Sequence, residues 1–179
     1  MNLPATKEPV AAPEFQVVGP EHARALACFF ERLRAQDVEK FFHTHPLTAE
    51  EAQKRAAYRG LDFYCVLVLG DAVVGYGMLR GWDEGYEVPS IGVVVDPSVR
   101  GRGYSRSLLR FLRATARQRG VNRLRATVDP DNIKMVAHCR MLGYVFESLE
   151  NGKLVGFRPL DPPAGLSPEE IARWKRIAY

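Results

Sequence analysis

The chain has 179 residues, 46% of them apolar and 26% charged, a formal net charge of +4 and a pI near 9.1; these values describe one globular domain with a sizeable core and exclude a low-complexity or disordered chain. Cys28, Cys65 and Cys139 are odd in number and share no CxxC spacing, which predicts reduced thiols rather than a disulfide framework or a zinc site, so no metal is expected. No segment approaches the roughly 20 apolar residues of a membrane span and the opening "MNLPATKEPVAAPEF" lacks the apolar stretch of a secretion signal, so a cytoplasmic location without a membrane partner is expected.

Residues 1–13 are rich in Pro and Ala and show no periodicity, the mark of a flexible arm. "FQVVG" then reads as a short strand. From Pro20 onward Ala23, Leu26, Ala27, Phe30 and Leu33 recur at helical spacing, with Glu31, Arg32 and Arg34 on other faces, so an amphipathic helix follows. A second helix begins in "TAEEAQKRAAY", where Thr48 is an N-cap and Glu51 holds the capping-box position. Glu50 to Lys54 and Glu51 to Arg55 are favourable pairs four residues apart. "DFYCVLVL" and "AVVGYGMLR", joined across Gly70-Asp71, form an antiparallel hairpin.

After "GWDEG", the run from Tyr86 to Val95 is expected to be a strand, nearly continuous in apolar residues as suits a central position. A leucine-rich helix runs to Arg119 and stops at Gly120. "RLRATV" is a strand, "NIKMVAHCRML" a helix ended by Gly143, and "YVFESL" with "KLVGFRPL" a hairpin across Asn151-Gly152. "SPEEIARWKRIAY" carries a serine cap, a proline at the first helical position and Glu170 to close the box. The predicted order is β, α, α, β, β, β, α, β, α, β, β and a final helix. The expected division is an arm over 1–13, one α/β domain over 14–160 and a helical extension over 161–179.

The stretch "VVVDPSVRGRGYSRSLLRFL" passes from a strand through arginines and glycines into a helix. Unpaired N–H groups and the positive end of the dipole at such a helix N-terminus make an anion site, and phosphate is its natural guest. Gly101 and Gly103 let backbone approach a pyrophosphate, while Arg100, Arg102 and Arg106 offset its charge. The loop is not a nucleotide-triphosphate P-loop, which ends in Gly-Lys-Ser/Thr, and not a dinucleotide GxGxxG fingerprint, because Arg106 stands where the third glycine would be.

With this element order, "RGRGYS" resembles the pyrophosphate loop of the GNAT acetyltransferase superfamily, Arg/Gln-x-x-Gly-x-Gly/Ala. Arg100, Gly103 and Ser105 fall on those positions, Ser105 being a departure that is still small. "VDPDNIKMVAHCRMLGYVFE" is similar to the family's strand-Asn-helix-Gly-aromatic segment, with Asn132, Gly143 and Tyr144 in place. The resemblance implies a mixed, centrally splayed sheet flanked by helices, the GNAT fold. It implies acetyl-CoA as cosubstrate, in a V-shaped gap between the strand ending at Val95 and the strand ending at Val128. Pantetheine would pair with the backbone of Val93, Val94 and Val95, and Arg100, Gly101, Arg102, Gly103, Tyr104, Ser105, Arg106 and Asn132 would contact the rest. The implied reaction is direct acetyl transfer to a primary amine in a ternary complex.

Many relatives carry a tyrosine seven residues after the Asn as the leaving-group acid; here that position is Cys139. Its thiol can be that acid, or, sharing a helix face with Met135 and Leu142, a small core residue. The strand glutamate that some relatives use as base is missing in register. Glu87, expected to begin the central strand, is the substitute, acting through water, ahead of His43 and His45 in "FFHTHPLT". Trp82 and Tyr86 fit a pocket lip or a loop base. Arg106, Arg110, Arg113 and Arg117 line one helix face and read as its solvated side.

A weak likeness to members acting on amino sugars points to a small-molecule amine as acceptor; a protein lysine or N-terminus is the alternative, favoured by an open and acidic acceptor groove. A non-catalytic acyl-CoA-binding module is a further alternative. Nucleic acid is not expected, because the basic residues lack interleaved aromatics. A homodimer stays open.

Overall fold

The computed structural model describes residues 12–42, 44–162 and 164–178. Most of the arm expected over 1–13, and His43, lie outside the described residues. The elements are β1 (Glu14–Val17), α1 (Ala23–Arg34), α2 (Ala49–Ala56), β2 (Phe63–Leu69), β3 (Ala72–Arg80), β4 (Ser90–Val95), α3 (Tyr104–Gln118), β5 (Arg123–Val128), α4 (Ile133–Met141), β6 (Val145–Glu150), β7 (Lys153–Pro159) and α5 (Pro168–Ala178). This is the expected order. Thr48 caps α2 by accepting the Glu51 N–H at 3.1 Å, and Ser167 and Glu170 exchange bonds at the start of α5.

β4 begins four residues later than expected. The chain from Gly81 to Tyr86 closes a turn instead, with the Tyr86 N–H on the Gly81 carbonyl at 2.8 Å, and buried Asp62 accepts the N–H groups of Gly81 and Trp82 at 2.8 and 2.9 Å. Pro89, which has no N–H to give a ladder, precedes the first strand residue.

The sheet runs β1-β2-β3-β4-β5-β7-β6, antiparallel at every step except β4–β5. Strand alternation gives it two faces. On one, Tyr64, Val66, Tyr76, Met78 and Val94 pack beneath α1 with Leu26, Phe29, Phe30 and Leu33. On the other, Cys65, Leu67, Val74 and Leu79 meet Leu108, Leu112 and Ala116 of α3. α3 lies close because Gly75 and Gly77 leave room: a Cβ at Gly75 would stand 2.8 Å from a Leu108 methyl. A third core joins Ala126 and Val128 of β5 to Val136 and Cys139 of α4, and Ile91 packs against both this core and the one under α3.

The arginine face of α3 is not uniformly solvated. Arg106 and Arg110 are exposed, but Arg113 is 3% exposed, in the layer with Leu108 and Leu112. It faces Tyr144 between α4 and β6, whose hydroxyl interacts with it.

Candidate active site

β4 and β5 touch at one residue pair, Ser90 opposite Arg125, where the Arg125 N–H donates to the Pro89 carbonyl at 3.0 Å. From there toward Val95 and Val128 they part. β4 is registered to β3 from Ser90 to Val95, and β5 to β7 from Arg123 to Val128, so each half of the sheet follows its own twist and a V opens between them. The gap expected from the sequence is present.

The Asp96 N–H donates to the Val74 carbonyl at 2.9 Å. By the alternation of antiparallel pairing, Val94 and Gly92 likewise turn their polar backbone groups to β3, and Val93 and Val95 turn theirs into the gap. The three valines are therefore not equivalent: Val94 is occupied by β3 and by the core under α1, where it is 8% exposed.

At the open end of the V stands the glycine loop. Its base is rigid: Asp96, 2% exposed, accepts from Arg32 Nε at 2.9 Å and from the Ser98 N–H and hydroxyl at 2.9 and 2.7 Å. These bonds hold its carboxyl down at about 2 despite burial, which on its own would raise it. Gly101 and Gly103 have φ of 79° and 78°, left-handed values that favour glycine, and a Cβ at either would meet nothing within 4 Å. Gly103 caps α3 and the Ser107 N–H finds its carbonyl at 3.0 Å, so the N–H groups of Tyr104, Ser105 and Arg106 have no helical acceptor. Arg100, Arg102 and Arg106 are exposed and form no ion pair among the described residues, while half-buried Tyr104 packs into the core beneath α3. Exposed cations, unclaimed donors and an unobstructed backbone suit a pyrophosphate, and the backbone groups of Val93 and Val95 suit an amide-bearing pantetheine.

The closed end of the V belongs to the other face. Leu124, Ala126 and Val128 turn toward α3 and α4, so Arg125 turns away from them. Its guanidinium donates to Glu150 at 2.7 Å and to Ser90 Oγ at 3.3 Å, and lies 5.2 Å from the centre of the Tyr86 ring. Two strands over, on β3, Arg80 donates to the Thr44 carbonyl at 2.8 Å and pairs with Glu84 at 3.3 Å.

Glu87, the base expected to begin the central strand, does not stand on β4. Glu87 is exposed and precedes β4 instead of beginning it; it borders an open concavity of about 610 Å³ shared with Trp82, Arg119 and Arg123, at the C-terminal end of α3. No carboxylate lies on β4 itself. Cys139 is 6% exposed among Val136, Ala126 and Val128, and burial pushes its thiol up to about 11. Its expected partner on the helix face, Met135, is 42% exposed and outside that core. His45 is buried: Nδ1 donates to the Pro46 carbonyl at 2.9 Å, which leaves Nε2 as acceptor for the Tyr76 hydroxyl at 3.3 Å. Burial, then Arg55 and Arg80, lower its pKa against the opposing pull of Pro46 and Glu51, so it is a neutral packing residue at pH 7. Asn132 caps α4, accepting the Met135 N–H at 3.1 Å.

Sequence reasoning misses Asp96, Arg32, Arg80, Arg125 and Glu150. None belongs to a local motif; Asp96 and Arg32 are 64 residues apart and Arg125 and Glu150 are 25 apart. The unusual Asp-Pro step ending β4 is the one local signal. Among the described residues no group of three or more His, Cys, Asp or Glu could hold a metal, and no helix is long and apolar enough to cross a membrane.

The fold has many solved counterparts. The GNAT domain of S. lividans PAT is 21% identical over 82% of this chain and 90% of its own, with a TM-score of 0.70. The ribosomal-protein-S5-alanine acetyltransferase from Vibrio fischeri is 18% identical over 83% and 93%, with a TM-score of 0.64. A putative acetyltransferase, yncA, from Salmonella typhimurium, solved with its cofactor acetyl-CoA, is 17% identical over 88% and 99%, with a TM-score of 0.63. No curated protein sequence matches the chain. The family model of the GNAT acetyltransferases matches residues 27–144, about two thirds of the length, from α1 through the V, its glycine loop and α4, and the chain belongs to that family.

Proposed function

We propose that the protein is an acetyl-CoA-dependent N-acetyltransferase that moves the acetyl group directly to a primary amine of a small molecule. The observation that carries this reading is the gap edge of β4, with Val93 and Val95 unpaired, leading to the exposed donors and cations of the Arg100–Arg106 loop. When bound, acetyl-CoA supplies an acetyl group activated as a thioester. The loop and first turn of α3 would hold its pyrophosphate, and Val93 and Val95 would orient its pantetheine.

Direct transfer is supported by Cys139. With its thiol pushed up to about 11, only about one molecule in ten thousand is thiolate at pH 7, a poor start for a covalent acyl-enzyme. The same burial supports a packing role for it over that of leaving-group acid. The attacking amine loses its proton to water, and Glu87, off the strand and exposed, takes part only through that water.

A second acceptor reading, a lysine or N-terminus of a protein, is favoured by the sheet face that carries Arg80 and Arg125. Its carboxylates Glu84 and Glu150 are half-exposed, and two similar structures are named as ribosomal-protein acetyltransferases. The deciding experiment incubates acetyl-CoA with a panel of amines, amino sugars and peptides while free thiol is followed. We expect amine-dependent thiol release. Coenzyme A binding without release for any amine would leave a non-catalytic acyl-CoA-binding module as the answer.

A further inference from the structure

Arg125 is the residue on which the two halves of the sheet converge. Its backbone makes the single β4–β5 pairing, and its guanidinium reaches three separate segments: Ser90 on β4, the Tyr86 ring in the turn before β4, and Glu150 at the end of β6. Its side chain is 16% exposed, whereas that of Glu150 is 50% exposed and Tyr86 is 47% exposed. The guanidinium is the inner part of this cluster, and a carboxylate and an aromatic ring are what it presents outward. Ser148 Oγ steadies the other Glu150 oxygen at 3.1 Å.

The position matters as much as the contacts. Side chains of β5 alternate, so Arg125 stands on the face away from α3 and α4, at the closed end of the V. With the cofactor along Val93 and Val95 and on the loop before α3, as the proposed transferase function on which this inference rests has it, the Arg125 face offers the acceptor a separate route to the closed end. We propose that Tyr86 and Glu150, held by Arg125 as a positioning residue, form an acceptor subsite for an amine that carries a second positive charge. Glu150 supplies a carboxylate already oriented by Arg125 and Ser148, and Tyr86, one ring face of which Arg125 covers, supplies the exposed remainder of its ring. A polyamine and a peptide with basic residues beside the reacting amine share this chemistry.

The test uses the full chain and thiol release from acetyl-CoA at low salt, with four acceptors: spermidine, a lysine peptide flanked by arginines, the same peptide flanked by aspartates, and glucosamine. The expected kcat/KM for at least one cationic acceptor is about tenfold or more above glucosamine and the acidic peptide, and it falls as salt is added. Spermidine against the basic peptide distinguishes the two sources. Glu150→Gln and Tyr86→Leu are expected to raise KM for the cationic acceptor about three- to tenfold with kcat nearly unchanged and coenzyme A affinity intact. Arg125→Lys, which keeps the charge but not the forked donors, is expected to give a smaller rise than Arg125→Ala. A merely structural role would lower the amount of folded protein without moving KM. An acidic or uncharged acceptor preferred over both cationic ones, or Glu150→Gln without effect on KM, overturns the subsite. Should no acceptor turn over, calorimetry of spermidine and of the basic peptide into the coenzyme A-loaded protein decides: binding weakened by Glu150→Gln upholds the subsite while the transferase reading fails, and no binding of either overturns it.

Discussion

Cys139 shows how burial changes what a residue can do. A thiol at its ordinary pKa near 8.5 would be matched to coenzyme A as an acid, but a group held at about 11 gives up its proton uphill. Cys139→Ser is therefore expected to keep turnover within about twofold of the parent in the folded fraction, and Cys139→Ala to lose about 1 kcal/mol or more of stability through the cavity it leaves. Turnover and urea denaturation check both; a fall in turnover in a stably folded serine variant would restore the acid role. Glu87, exposed and off the strand, is expected to matter little. Glu87→Gln should lower kcat by less than about tenfold, since a relay through bulk water is replaced at low cost, whereas a loss of a hundredfold would make it a base in direct reach.

At the scale of elements, the loop that leads into α3 depends on α1. Arg32 reaches across to Asp96 and also donates to the Val73 carbonyl at 2.6 Å, so one side chain fastens the β3 start and the β4 end together. The folded-state pKa of Asp96 is depressed, so its contribution is complete above the unfolded value near 3.8 and is lost as the pH falls toward 2. The shift corresponds to about 2 kcal/mol at neutral pH. Asp96→Asn should thus lower urea stability by about that amount at pH 7, with the difference from the parent shrinking below pH 4. A difference independent of pH would mean that the ion pair is not its source. In the loop itself, Gly103→Glu forces a side chain onto a φ of 78° and adds a negative charge beside the unclaimed N–H groups. Calorimetry should show coenzyme A binding weakened at least tenfold, with unchanged affinity ruling out this loop as the anion site.

Over the whole molecule, the V exists because two sheet halves with separate twists are joined at one pair, and this has a measurable signature. The amides of Gly92 and Val94, bonded to β3, are expected to exchange slowly with or without ligand. Those of Val93 and Val95 should exchange fast in the free protein and become protected when coenzyme A is added. Protection of all four alike in the free protein would mean that the gap is closed in solution.

Local chemistry accounts for what is legible in the sequence. Caps at Thr48 and Ser167, glycine stops at Gly120 and Gly143, alternating strands and the glycine loop are each encoded within a few neighbouring residues, and these suffice for the order of elements and the turn into α3. The start of β4 is not encoded locally, because Asp62, from the turn before β2, captures the N–H groups that a longer strand would use. Arg113 and His45, too, are drawn inward by partners on other elements. The sequence by itself determined the elements, the mixed α/β order and the glycine loop that leads into α3. Only the tertiary structure decided which backbone groups of β4 face the gap, which carboxyl anchors the loop and which side chains meet at the closed end. Those outcomes depend on strand registers and on contacts such as Arg32 with Asp96 and Arg125 with Glu150, whose partners come together only after the chain has packed.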